Sequence, residues 1–347
     1  MSLLDSLTIP VIQAPMAGVS TPALAAAVSA AGGLGSLGLG SSNAAQAAAM
    51  MDETQTLLGS NRYAVNLFCH QPPRRDAKQE AVWLAFLAAE FRRVGAPPPL
   101  GLGENHLSLR DDGAMLSAVI AARPAMISFH FGLPRADQLQ ALRNTGAFLA
   151  ATATSPAEAI AIRAAGLDAV IAQGYEAGGH RGIFDPLAPD DQLPLTTLVT
   201  QLLPLGLPVI AAGGLMDGAD VARICAAGAV AAQMGTAFVA CPESAASAAH
   251  RARLGQPQTT TVMTRAISGR PARGLPNRLT ELEQSPRLPG LPDYPLPYHA
   301  ARKLAAVGGS DYAAQWAGVG ASRARALPAA QLMARLREEW LAARTGC

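Results

Sequence analysis

The chain has 347 residues, of which 50% are apolar and 15% charged, with a formal net charge of +2 at pH 7. That composition excludes global disorder and predicts a large buried core, in one α/β barrel domain or two ordinary domains. The small charge and dispersed arginines carry no nucleic-acid footprint, and Cys69, Cys225, Cys241 and Cys347 lack the CxxC spacing of a zinc site or redox pair.

The N-terminal run MSLLDSLTIPVIQAPM has no basic n-region and no long apolar core, so it does not read as a signal peptide. Short apolar runs then recur as predicted strands at 10–13, 34–37, 63–66, 126–129, 148–151, 169–172, 208–211 and 231–234. Each is short and apolar, as expected of parallel strands covered on both faces. Between them come alanine-rich predicted helices at 22–31, 44–58, 136–144, 156–165, 219–227 and 244–254. Thr21-Pro22 and Ser155-Pro156 place a hydroxyl before a first-turn proline, and Gly32, Gly146, Gly166 and Gly228 follow helices as C-terminal stops. The most apolar stretch, 207–239, is interrupted by glycines, Asp217, Asp220 and Arg223, which argues against a membrane span. A cytoplasmic protein, monomeric or homodimeric, without membrane or nucleic-acid partners, is the expectation.

Eight strands alternating with helices predict a (β/α)8 TIM barrel. The rival is a doubly wound open sheet, which needs fewer strands and a GxGxxG turn followed by a ribose-binding acid. The glycine-rich run GLGSLGLG at 33–40 follows a helix and contains a strand, so it reads as tight backbone packing. Residues 1–69 and 114–255 form the predicted barrel. Residues 70–113 are an insertion after the third strand, with a helix at 77–94 and a turn at Ala96-Pro97-Pro98-Pro99. Its place at a strand C-terminus makes it a candidate lid, or a mere extension of the core. Residues 256–347 form a C-terminal extension, proline-rich at first and helical over 327–344, expected to pack on the barrel.

The chemistry concentrates at predicted strand ends. After the sixth strand comes QGYEAGGHRG, residues 173–182, with His180 among glycines that let the backbone approach a flat ligand. The seventh strand ends in Gly213-Gly214 and the eighth in Gln233-Met234-Gly235-Thr236. In barrels these two loops commonly hold a phosphate through backbone N–H groups, and Thr236 adds a hydroxyl. The first strand ends in Ala14-Pro15-Met16, a rigid and polarizable surface suited to an aromatic ring, although Met16 also reads as a core residue. Asn66 ends the third strand, as a ligand-binding amide or a turn former. His130, in SFHFG at the end of the fourth, is a supporting histidine or a substrate contact. No residue pattern implies a metal.

Taken together, QAPMAGVSTPALAAAVSAAGGLGSLG, YAVNLFCHQ, SFHFGLP, QGYEAGGHRG, LPVIAAGG and QMGTAFVACPES resemble the FMN-dependent nitronate monooxygenases, once called 2-nitropropane dioxygenases. SFHFG, TRAISGRPARG and the later WAG resemble the class I branch, whose characteristic substrate is propionate 3-nitronate. The resemblance implies oxidation of alkyl nitronates by O2 to a carbonyl compound and nitrite. It implies FMN contacts at Asn66, Gln173, Gly178, Gly179, Gly213, Gly214 and Gln233 through Thr236, with the Ala14-Pro15-Met16 loop against the flavin. It implies His180 as the catalytic histidine, and Tyr294 or Tyr298 with Lys303 near the substrate. Two rivals stay open: an NAD(P)H-dependent FMN reductase of quinones or enoyl thioesters, and a non-catalytic flavin- or phosphate-ligand-binding barrel. An inosine-phosphate dehydrogenase-like chemistry is disfavoured, since the loop after the sixth strand has no cysteine.

Overall fold

The computed structural model describes residues 3–104 and 107–345; Met1, Ser2, Asn105, His106, Gly346 and Cys347 lie outside the described residues. Eight parallel strands form the central sheet: β1 (Val11–Gln13), β2 (Ser36–Gly38), β3 (Ala64–Phe68), β4 (Met126–His130), β5 (Phe148–Ala153), β6 (Ala169–Gln173), β8 (Val209–Ala212) and β9 (Ala231–Met234). The order is β1-β9-β8-β6-β5-β4-β3-β2. A parallel bridge from Ile12 to Leu34 joins the two ends, with Gln13 N–H donating to Leu34 O at 2.9 Å, so the sheet closes into a (β/α)8 barrel. The open-sheet alternative is thereby excluded.

Side-chain alternation along the strands separates two layers. Val11, Val65, Ile127, Val170, Val209 and Ala232 point outward to the helices. Ile12, Ala64, Met126, Ala150, Ala169, Ile171, Ile210 and Ala231 fill the interior, over Leu4 at the bottom. Further along the same inward faces the residues turn polar: Asn66, His130, Thr152, Gln173 and Gln233. That gradient fixes the functional end at the strand C-termini.

The helices begin where the capping residues predict. Thr21 Oγ1 accepts from Leu24 N–H and Ser155 Oγ from Glu158 N–H, each with proline in the first turn. The predicted 244–254 helix is shorter, Ala248–Arg253, because Ser247 caps it at His250 N–H; a separate helix, Thr236–Val239, precedes it.

The two added segments differ from the simple expectation. The insertion helix Ala77–Arg93 packs into a second apolar cluster, where Trp83, Leu87 and Phe91 meet Leu279, Leu296, Leu304 and Tyr312 of the extension. The last helix, Ala329–Thr345, joins the main barrel core through Leu332, Met333 and Leu336. The extension also supplies β10 (Val262–Thr264) and β11 (Ala272–Gly274). With β7 (Gly179–His180) they form an antiparallel sheet in the order β10-β11-β7. Neither this sheet nor the helix Leu296–Gly308 figures among the predicted elements. No helix among the described residues is long and apolar enough to cross a membrane.

Candidate active site

A cavity of about 450 Å³ opens at the C-terminal mouth of the barrel. Ala14, Pro15, Met16, Asn66, His130, Gln173, Gly178, Gly179, His180, Gly213, Gly214, Gln233, Met234, Gly235 and Thr236 all line it. Tyr294 and Tyr298 line it as well, from the extension. Lys303 does not: it is exposed on the helix Leu296–Gly308, and its neighbour Arg302 reaches the cavity instead, with its guanidinium 5.1 Å from the Tyr298 ring centroid. A helical turn separates faces by about 100° per residue, so the one-position difference decides which cation faces inward.

The glycine turns are shaped by close backbone approach. Gly213 and Gly214 have φ of +134° and +68°, a region that disfavours other residues. Gly178 lies against the extension: a Cβ there would stand 2.5 Å from Ala317 C and Gly318 N. Gly318 N–H in turn donates to Thr236 Oγ1 at 2.9 Å, which leaves the Thr236 hydroxyl proton for another acceptor. The WAG segment therefore touches both the QGYEAGGHRG loop and the turn after β9.

His180 is held from three sides. Its carbonyl accepts Gln173 Nε2–H at 2.9 Å and His130 Nε2–H at 3.2 Å. Its backbone pairs with Ala272 of β11, and its ring Nε2 lies 2.9 Å from Ser268 Oγ. Ser268 Oγ donates its single proton to Arg270 O at 3.2 Å and accepts Arg270 N–H at 3.3 Å. That hydroxyl proton has a second acceptor within reach, His180 Nε2, so the direction of the Ser268–His180 bond follows the imidazole tautomer. Phe131, Tyr294, Tyr298 and Trp316 surround the ring at centroid distances of 5.7, 5.6, 6.1 and 5.2 Å.

The other polar groups are mostly committed to this scaffold. Gln173 Oε1 accepts Gly182 N–H at 2.8 Å, so its amide ties the loop together as well as lining the cavity. Arg181, wholly buried, pairs with Asp190 at 2.8 Å and donates to Gln173 O and Gly174 O. Asn66 Nδ2 donates to Ser128 Oγ at 2.9 Å. His130 is half-buried, its pKa pushed down to about 4 by desolvation, and its Nδ1 accepts the Thr152 hydroxyl at 3.0 Å. It braces the His180 backbone through its Nε2 hydrogen bond and also lines the cavity. Burial also raises the Tyr294 and Tyr298 hydroxyl pKa values, so both stay protonated.

Several residues of the site carry no role in the sequence reading. Trp316 and Arg302 line the cavity from the extension, and Ser268 bonds His180 from behind; TRAISGRPARG and WAG hold Ser268 and Trp316, but the extension has no barrel periodicity to assign them a role. His250 is 5% exposed and lines the cavity with Nε2 lacking a hydrogen-bond partner, while its other ring nitrogen bonds the Trp316 backbone. Among the described residues no cluster of metal-ligating side chains occurs.

A glycine cradle at the ends of β8 and β9, an unpartnered acceptor in the wall, and an apolar surface at Met16 and Ile171 suit a flat, phosphate-tailed ligand. They define a flavin-type barrel. The chain matches the sequence profile described as nitronate monooxygenase over residues 1–339. It is 50% identical over 337 residues to a nitronate monooxygenase of Paraburkholderia phytofirmans, covering 95% of this chain and 92% of that one. It is 49% identical over 336 residues to a nitronate monooxygenase of Pseudomonas aeruginosa, covering 95% of each. Among solved structures, the nitroalkane oxidase from Streptomyces ansochromogenes superposes with a TM-score of 0.89 at 41% identity, covering 100% of this chain and 99% of that one. FabK from Thermotoga maritima gives 0.73 at 25% identity, over 99% and 96%. The chain belongs to the nitronate monooxygenase family. It is a flavin-dependent oxidoreductase, and FMN is its cofactor.

Proposed function

We propose that this enzyme, which uses FMN and O2 to oxidise alkyl nitronates, acts on propionate 3-nitronate and works through His180. When bound, FMN supplies the electron and oxygen chemistry. The glycine turns 213–214 and 235–236 hold its phosphate, and Ala14-Pro15-Met16, Asn66, Gln173, Gly178, Gly179 and Gln233 hold the rest. His180 orients the nitronate oxygens and takes a proton when a neutral nitroalkane enters instead. Tyr294 and Tyr298 give hydroxyl donors beside it. Arg302, in the place expected of Lys303, meets the substrate's carboxylate at the cavity mouth. The insertion acts as a prop for this wall: among the described residues none of 70–113 lines the cavity, and its helix packs beneath the extension.

The observation that carries this reading is the His180 ring itself, which lines the cavity inside an aromatic wall and is anchored by Ser268 Oγ at 2.9 Å. Anaerobic mixing tests it. Propionate 3-nitronate is expected to bleach the flavin absorbance and NADH to leave it. Bleaching by NADH with none by nitronate would identify a reductase instead.

A further inference from the structure

Arg270 lies between Ser268 and β11. Its side chain is buried, 3% exposed. One guanidinium N–H donates to Ile183 O at 2.7 Å, and Nε has no hydrogen-bond partner. Among the described residues it forms no ion pair; Asp185, Glu158 and Asp293 attract it only from longer range. Burial lowers its pKa to about 10, so it remains a cation at neutral pH. A buried charge without a counter-charge opposes folding, and such departures concentrate at functional sites.

Its surroundings point toward the cavity. The guanidinium stands 4.4 Å from the Phe131 ring centroid and 5.7 Å from that of Tyr294. Both rings contact His180, at 5.7 and 5.6 Å. Phe131 holds φ at +69°, a strained backbone for an aromatic residue, and packs 4.5 Å from the His130 ring. The charge thus stands one aromatic ring away from His180. Direct contact with a carboxylate would neutralise it; the apolar shell leaves its field unscreened.

We propose that Arg270 is a specificity-determining residue: a fixed positive charge, one ring behind His180, that favours an anionic substrate over its neutral conjugate acid. This rests on the nitronate reading of the cavity. His130 does not supply that charge, because desolvation, with Arg270 contributing, keeps it neutral.

Arg270→Met removes the charge and roughly keeps the volume. With ethyl nitronate, kcat/KM should fall on the order of tenfold, while with nitroethane it should hold. The melting temperature should stay level or rise, since an unpaired buried cation has gone. A lower melting temperature with equal losses on both substrates marks a structural residue and overturns the proposal. Nitrate binding to the FMN-loaded protein, read from flavin absorbance, needs no turnover. It should weaken on the order of tenfold in Arg270→Met and survive in Arg270→Lys. Unchanged nitrate affinity in Arg270→Met, or no nitrate binding by the wild-type protein, overturns the proposal even if nitronate oxidation is established. Conversely, an enzyme inert toward nitronate but with charge-dependent nitrate binding refutes the substrate and keeps Arg270 as the anion selector. Arg270→Gln, which retains a donor for Ile183 O, carries the same measurements if Arg270→Met does not fold.

Discussion

The two halves of the cavity wall are built on different principles. The barrel half uses backbone: glycines at the ends of β8 and β9, and short polar side chains at strand ends whose positions the closed sheet dictates. The extension half uses side chains: Tyr294, Tyr298, Arg302 and Trp316, from the helix Leu296–Gly308 and the segments on either side of it, which rest on the second apolar cluster. On the proposed reading the rigid half meets the cofactor, and the substrate meets the half that can vary without disturbing strand register.

The seam between the halves is where a single change should do most. Gly178→Val would drive a side chain into the backbone at Ala317 and Gly318. We expect most bound FMN to be lost on purification, measured by flavin-to-protein absorbance ratio. Full flavin content would show that the halves are not interlocked there.

Next in size is the ionic anchor of the extension. Glu90, on the insertion helix, accepts from Arg278 at 2.9 Å and from the Tyr312 hydroxyl at 2.6 Å. Glu90→Ala should cost about 2 kcal/mol in denaturant unfolding, because Arg278 keeps partial access to water while Tyr312 does not. The Arg278 hydrogen bond holds the Glu90 carboxyl below its ordinary range. Its contribution is therefore complete above the unfolded pKa and is lost as pH falls through the lower folded value. The wild-type stability should decline in that acid window, and Glu90→Ala should decline less.

Smaller again is Ser268→Ala. One hydrogen bond to His180 disappears, and the ring loses its anchored orientation, for roughly a fivefold fall in kcat. A KM near normal and a displaced pH–rate profile would separate this positioning effect from general loosening. The smallest effect belongs to trimming residues 96–99, which are exposed or half-buried and away from the cavity. A change in KM beyond about twofold would return the insertion to the role of lid.

This division also explains what could be read in advance. The barrel strands announce themselves by apolar runs, and Asn66, Gln173 and Gln233, which stand at their ends and are picked out by the resemblance, line the cavity. The extension has no such period: prolines and arginines over 256–297 hide β10, β11 and the helix Leu296–Gly308. Lys303 and Arg302 differ by one helical position, and without the helix's rotation neither can be preferred. Ser268 is invisible because its role arises only when β11 pairs with the histidine loop, some ninety residues away in the chain. Gln173 shows the reverse problem, since its amide also serves the loop itself.

The central claim is that His180 acts on the substrate. His180→Asn keeps a hydrogen-bond donor and removes a proton acceptor in this pH range. Steady-state oxidation of nitroethane and of preformed ethyl nitronate should be compared in the FMN-loaded variant. The account predicts a fall on the order of 10² or more for the nitroalkane, a clearly smaller fall for the nitronate, and normal FMN content. Equal losses on both substrates, or loss of the flavin, would contradict it.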